Sequence, residues 1–296
     1  MDILILQKMK SILVPTDFSE QAGFAMDLAC EIAMKTKSDL IALHVLDHTG
    51  LFDFSTGSSA YPIMGNPAGL DLDQKFLESL HANAEEKFAG FLSKYEKEGL
   101  TITKKIKIGS AFQYITEEID EQGIDLVIMG SKGISGFEEV LIGSNTEKVV
   151  RHAKCPVLTV KTRLSLDDIN NIVFATSFKE GDSHVTDELK KLQEVFQAKL
   201  HLVRVNTPNC FETNRKIMDM AKHFVEENKI SNYTINIYCD KVEEDGIIFY
   251  AQDIDADMIA LATHGRSGLS HLLSGSIAED IVNHAKRPVW TFRLKH

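Results

Sequence analysis

The sequence predicts an α/β fold of the doubly wound, Rossmann-like kind, built twice in tandem. Three observations carry that expectation. First, the chain repeats itself over a domain-sized period. "SILVPTDFSE" at 11–20 returns as "NIVFATSFKE" at 171–180, and "DLIALHVLD" at 39–47 returns as "KLHLVRVNT" at 199–207. "EKVVRHAKCPVLTV" at 147–160 returns as "EDIVNHAKRPVWTF" at 279–292. A period this long is a duplication and not a solenoid. Second, short apolar runs alternate with amphipathic helical patterns in each copy, as they do where a parallel sheet is covered on both faces. Third, right-handed crossovers then place helices on both sides of each sheet.

In the first copy, 11–15 is a buried apolar strand, and Ser19 caps a helix running to about Lys37. Residues 40–46 form the second strand. The spacing of Phe76, Leu80, Ala84, Phe88, Phe91, Leu92 and Tyr95 predicts a core-facing helix over 72–98. Residues 101–108 alternate as a strand ahead of Gly109, and 111–122 form a helix. A short apolar strand at 126–129, a helix at 144–152 and a closing strand at 157–160 complete the copy. The second copy follows the same order after a polar connector, 161–170, which contains Asp167 and Asp168. Domains are expected at 1–162 and 168–296. The stretch 48–71 has no counterpart and explains most of the difference in length. Rich in glycine and proline, it reads either as a flap over a site or as a plain surface loop.

With 44% hydrophobic and 25% charged residues among 296, the composition is that of an ordinary globular protein. A net charge of −11 argues against non-specific DNA or RNA binding, which needs a basic face. A small anionic ligand remains compatible, because backbone N–H groups and helix ends bind anions locally. Cys30, Cys155, Cys210 and Cys239 form no CxxC pair, so reduced buried thiols are expected in place of a disulfide scaffold or a zinc site. The opening "MDILILQKMK" is too short for a signal segment, and no stretch is long enough to span a membrane. A cytoplasmic location is expected.

The chemistry concentrates in a glycine loop. "GSKGISGFEEVLIGSN" at 130–145 follows the fourth strand and enters a helix, and "ATHGRSGLSHLLSGSI" at 262–277 does the same in the second copy. In such sheets ligands sit beyond the carboxyl ends of the strands, where the strand order reverses. A helix N-terminus there suits a phosphate, through free N–H groups and the positive end of the dipole. Gly130, Gly133 and Gly143 would let the backbone approach the ligand, and Ser144 would either cap the helix or donate to a phosphate oxygen. Turn glycines with a serine cap are the bland reading of one copy alone. A Walker A loop is excluded because no lysine follows Gly143, and a dinucleotide GxGxxG would have to follow the first strand.

"ILVPTDFS", "LIALHVLD", and G-x2-G-x9-GS followed by "EKVVRHAKCPVLTV" together resemble the universal stress protein family in a tandem two-domain form. The resemblance runs from about Met9 to Phe292. It implies a five-stranded parallel sheet in each domain, with helices on both faces, and ATP, with magnesium, as ligand of the copy that keeps the full glycine motif. On that resemblance Thr16 and Asp17 lie by the ribose or metal end, and Val45 gives a backbone contact to adenine. Gly130 and Gly133 line ribose and phosphates, and Gly143, Ser144, Asn145 and Thr146 hold the phosphates. Val205, Gly265, Gly275 and Ser276 would form a weaker second site, because Ser177 replaces the match to Asp17 and Ala262 the match to Gly130. His264, Arg266 and His271 add cationic character there. The resemblance also implies that the closing strands, 157–160 and 289–292, pair the halves in a pseudo-dimer, with a further homodimer and a regulatory protein partner as expectations.

No catalytic residue and no protein-only metal site is expected. Glu138 and Glu139 lie in the loop without a visible nucleophile–base pair, which phosphoryl transfer needs. His152 and His284 recur at helix ends, as dipole partners or packed residues. His44 and His48 are four apart in a strand, which does not bring them together. A nucleotide-dependent regulator is therefore the expected function. A slow ATP hydrolase or phosphotransferase and a non-binding dimeric scaffold are the alternatives.

Overall fold

A computed structural model of the chain describes residues 9–46, 67–95, 99–132, 142–178, 183–264 and 275–294. The first half runs β1 (Ser11–Pro15), α1 (Glu20–Thr36), β2 (Asp39–Leu46), α2 (Pro67–Leu92), β3 (Ile102–Ile108), α3 (Ala111–Gln122), β4 (Leu126–Gly130), α4 (Ser144–His152) and β5 (Val157–Val160). The second runs β6 (Asn171–Ala175), α5 (Ser183–Phe196), β7 (Lys199–Asn206), α6 (Asn214–Asn228), β8 (Tyr233–Cys239), α7 (Glu243–Asp253), β9 (Met258–His264), α8 (Gly275–His284) and β10 (Val289–Leu294). Local signals set many of these boundaries. Ser19 accepts from the Ala22 N–H at the start of α1, Ser110 accepts from the Gln113 N–H at the start of α3, and Gly123 (φ 61) ends α3 in the left-handed region.

Both halves are all-parallel and doubly wound, and the closing strands β5 and β10 pair antiparallel, with Trp290 opposite Leu158. The two sheets are therefore one, in the order β3-β2-β1-β4-β5-β10-β9-β6-β7-β8. Strand side chains alternate between faces. Ile12 and Val14 enter a core shared with α1, α2, α5 and α6, while Leu13 enters a core shared with α3, α4, α7 and α8. Each core runs through both halves. β1 lies between β2 and β4, so the strand order reverses there, and the chain ends that leave β1 and β4 diverge to frame a cleft.

Two expectations need correction. The helix expected at 72–98 occupies Pro67–Leu92. Tyr95 keeps the apolar spacing but leaves the helix, its hydroxyl donating to the Gly23 carbonyl of α1 at 3.2 Å. The last part of the insert, from Pro67, thus belongs to that helix. The rest of the proposed flap lies outside the described residues, as do Glu138, Glu139 and His48. Of the four free thiols, Cys30 and Cys155 are buried, but Cys210 is only partly covered and Cys239 is exposed. The polar connector is tied to α1. The Leu166 N–H donates to Glu31 Oε2 at 2.8 Å, and Arg163 pairs with Asp27 at 3.2 Å.

Candidate functional site

On one side of the cleft the chain leaves β1 through a tight turn. The Thr16 N–H donates to the Leu43 carbonyl at 2.8 Å, Thr16 Oγ1 accepts from the Phe18 N–H at 3.1 Å, and Asp17 Oδ1 accepts from the Ser19 N–H at 3.0 Å. Phe18 adopts φ 66, a conformation that costs energy for an aromatic residue. Its ring is held against His44 at 4.3 Å and Phe88 at 5.4 Å. His44 Nδ1–H donates to the Thr16 carbonyl at 2.8 Å. Burial, opposed by that bond and by Asp17, lowers the pKa of His44. Asp17 is thereby presented at the rim by a rigid, partly strained turn.

On the other side, the neck of the glycine loop is closed by hydrogen bonds. The Ser131 N–H donates to the Val160 carbonyl at 3.0 Å, and the Gly143 N–H donates to the Ser131 carbonyl at 2.7 Å. Gly143 is the N-cap of α4 and has no side chain to cap it. The N–H groups of Ser144, Asn145 and Thr146 have no partner within the helix by its geometry. Ser144 is thus the first helical residue and not the cap. Thr146 is buried, and its Oγ1 donates to the Gly130 carbonyl at 3.0 Å. Its hydroxyl proton is engaged inside the protein, which leaves its N–H for a ligand.

Packing gives the glycine at 130 a reason of its own. A Cβ there would stand 2.9 Å from Gln21 Cβ, 3.0 Å from the Gln21 carbonyl carbon and 3.1 Å from the Ala22 nitrogen. Gly130 lets β4 approach the first turn of α1, a packing demand that holds beside its place on the wall of the cleft described below. In the second copy Ala262 takes the place of Gly130, and Gly181 matches Gln21 in the sequence.

Thr16, Asp17, Val45, Gly130, Gly143, Ser144, Asn145 and Thr146 all line one cleft of about 1530 Å³, open mouth included. Gly133 lies outside the described residues. The cleft also takes in residues that sequence reasoning missed. Leu43, Ile115 and Met129 make an apolar end beside Val45, Ser110 and Ala111 bring the start of α3, and Lys132 and Lys148 add two cations near the start of α4. Lys148 stands four residues after Ser144, on the same helical face, which was the available signal. Lys132 stood in the loop itself. The arrangement is bipolar, with an apolar slot at one end and N–H groups with ammonium groups at the other. That is what an aromatic base joined to an anionic tail requires.

Among the described residues of the second half, the space at the ends of β6 and β7, lined by Ala175, Thr176, Val203, Val205, Glu243 and Ile247, measures about 260 Å³. Helix α7 lies directly on Val205, so that a Cβ on Gly246 would stand 2.6 Å from Val205 Cγ1. Val205 is buried, whereas Val45 is partly open. The first turn of α7 carries Glu243, Glu244 and Asp245, where α3 has no acid. The turn after β6 survives, with Phe178 at φ 56 and Thr176 Oγ1 accepting from its N–H at 3.1 Å. Gly275 begins α8, the Ser276 side chain and Gly265 lie outside what is described, and so do Arg266 and His271. His284 Nδ1 faces Glu244 at 2.9 Å and His152 packs on Phe112, and neither lines the cleft. Among the described residues no group of three His, Cys, Asp or Glu side chains is placed to hold a metal, and no helix is long and apolar enough to cross a membrane.

The model of the Universal stress protein family matches residues 8–161 and again 168–293. A universal stress protein of Methanocaldococcus jannaschii is 30% identical over 157 residues, covering 53% of this chain and 97% of that protein. The crystal structure of a universal stress protein from Archaeoglobus fulgidus covers 97% of this chain and 99% of its own at a TM-score of 0.65 and 17% identity, a likeness of fold. A universal stress protein solved in complex with cAMP covers 42% of this chain and 97% of its own, at 16% identity and a TM-score of 0.35. At that distance it says only that one such protein takes a cyclic nucleotide.

Proposed function

The chain belongs to the universal stress protein family and carries the family's domain twice, and from that premise we propose that its first half binds ATP and acts as a nucleotide-dependent stress-response regulator in the cytoplasm. One observation carries the reading: the uncapped start of α4 and the apolar slot at Val45 open into the same cleft at the reversal point of the sheet. In this pose adenine enters between Val45 and Ile115, and the ribose lies toward Asp17. The phosphates meet the N–H groups of Ser144, Asn145 and Thr146, with Lys132 and Lys148 balancing their charge. Magnesium usually takes one or two carboxylates together with phosphate oxygens, and Asp17 is the carboxylate of the cleft that fits that part.

The second half is proposed not to share the ligand. The space beside Val205 is small among the described residues, Val205 is covered by α7, and the acidic first turn of α7 repels a polyphosphate. Binding acts by population shift: nucleotide favours one arrangement of the glycine loop, and a partner protein reads the surface that results. The test is to denature purified protein, identify any nucleotide released per chain, and titrate the stripped protein with Mg-ATP by calorimetry. One site per chain is expected. No heat of binding at millimolar ATP, or two equal sites, would overturn the assignment. ADP formation at a typical enzyme rate of about 10 per second would replace the regulator with a hydrolase.

A further inference from the structure

Helix α8 of the second half reaches across the molecule to the neck of the first half's glycine loop. The Ile142 N–H, the residue just before the α4 cap, donates to Asn283 Oδ1 at 2.8 Å. The backbone carbonyl of the same Asn283 accepts from Lys161 Nζ, which follows β5, at 2.7 Å. One residue of the second half thus holds both chain segments that flank the loop neck. The neck itself is closed by Gly143 N–H on the Ser131 carbonyl and Ser131 N–H on the Val160 carbonyl. Each contact gives a partner to a backbone group that the local chain leaves without one. Carbonyls in the last turn of a helix lack intrahelical partners and sit at the negative end of the dipole, so an ammonium there is complementary. The Ile142 N–H is partly buried, so losing the Asn283 acceptor would cost it the hydrogen bond it makes.

The arrangement is not symmetric. The residue of the first half that corresponds to Asn283 is Arg151. It is engaged instead in a paired contact with Glu279, Nε to Oε1 and Nη2 to Oε2, both at 2.5 Å. Glu279 and Asn283 are one turn apart on α8, so that helix presents a single face to α4: an ion pair below and the loop strut above.

We propose that Asn283 is a positioning residue for the first half's anion site, so that the second half serves the nucleotide as a strut without touching it. By fixing Ile142 relative to Gly143, Asn283 sets where the first N–H groups of α4 point before any ligand arrives. Affinity then depends on preorganisation supplied from the other half. The inference rests on the ATP-binding reading for its affinity arm only. The corollary is that a partner pressing on α8 would change nucleotide affinity, and nucleotide would change affinity for that partner by the same factor.

The experiment compares wild type with Asn283→Leu, which keeps the side-chain size but removes the acceptor, and Asn283→Asp, which keeps an oxygen facing Ile142. Mg-ATP affinity is measured by calorimetry, and amide exchange of Ile142 and Gly143 is measured without nucleotide. Asn283→Leu should bind ATP roughly three- to tenfold more weakly, the range one net hydrogen bond supports, and should exchange faster at Ile142. Asn283→Asp should recover most of both, while the unliganded melting temperatures stay close. Wild-type affinity in Asn283→Leu overturns the proposal. If wild type binds no ATP, the nucleotide reading falls by itself and the exchange comparison decides the strut: unchanged protection of Ile142 in Asn283→Leu then overturns it.

Discussion

Thr146 Oγ1 donates to the Gly130 carbonyl at 3.0 Å across a buried gap, joining the first turn of the anion-facing helix to the end of the strand beside it. The bond makes the two ends of the glycine motif one unit even though fifteen residues separate them in sequence. Replacing Thr146 by valine keeps the shape and removes the donor. We expect a loss of about 1–2 kcal/mol in stability, because the Gly130 carbonyl loses its buried partner, together with weaker ATP binding. Thr146→Ser should keep most of both. Urea melts and calorimetry on the two variants check this, and equal stability of Thr146→Val and wild type would remove Thr146 from the account.

Gly143 offers a sharper separation of folding from binding. It sits at φ −63, ψ 140, extended backbone that any residue adopts, and it is an N-cap without a capping side chain. Aspartate is among the best N-cap residues, so Gly143→Asp should leave stability unchanged or raise it by a few tenths of a kcal/mol. The same carboxylate would occupy the N–H groups meant for phosphate and repel its charge. ATP affinity should fall on the order of a hundredfold or more, several kcal/mol at the site. Saturating ATP should therefore raise the melting temperature of wild type and leave that of Gly143→Asp where it was. Gly275→Asp, the matching change in the second half, should keep most of the shift. The reverse pattern would place the nucleotide in the wrong half.

Lys161 links stability to pH. Burial, with a smaller contribution from nearby Lys132, lowers its pKa from 10.5 to about 8. Below pH 8 the side chain is charged in both folded and unfolded chains, so the full cost of burying that charge is present. Between pH 8 and 10.5 the unfolded chain holds more protons than the folded one, and this residue's contribution to stability rises with pH. Lys161→Met removes the cost and also the bond to the Asn283 carbonyl. Relative to wild type it should be most stable near pH 7, by on the order of 1 kcal/mol given that solvent still reaches the side chain. That advantage should shrink as pH approaches 10. A pH-independent difference in urea midpoints would show that the charge of Lys161 does not bear on folding.

Much of the architecture is local information. Apolar runs of five residues, helical spacing, and caps such as Ser19, Ser110 and Gly123 mark the elements from their own neighbours, and α3, α4 and β5 fall where their patterns end. The duplication, and hence the pairing of like strands, is legible for the same reason. Local pattern misleads at Tyr95, which keeps the apolar period of α2 after leaving the helix, because its side chain reaches over to α1, the hydroxyl donating to the Gly23 carbonyl.

The sequence by itself thus determined most of the elements, their order, and eight of the residues that the first cleft gathers around the end of β1 and the start of α4. Tertiary structure alone decided what each of them can do. Only packing shows that Gly130 is small for the sake of Gln21, that Thr146 is engaged with Gly130, and that α7 closes on Val205. Only packing brings Asn283 to Ile142 across 141 residues of chain. The physical reason is the range of the forces. Periodicity and capping act within a turn or two of the backbone, whereas steric exclusion and hydrogen-bond satisfaction act between whatever residues the fold places side by side.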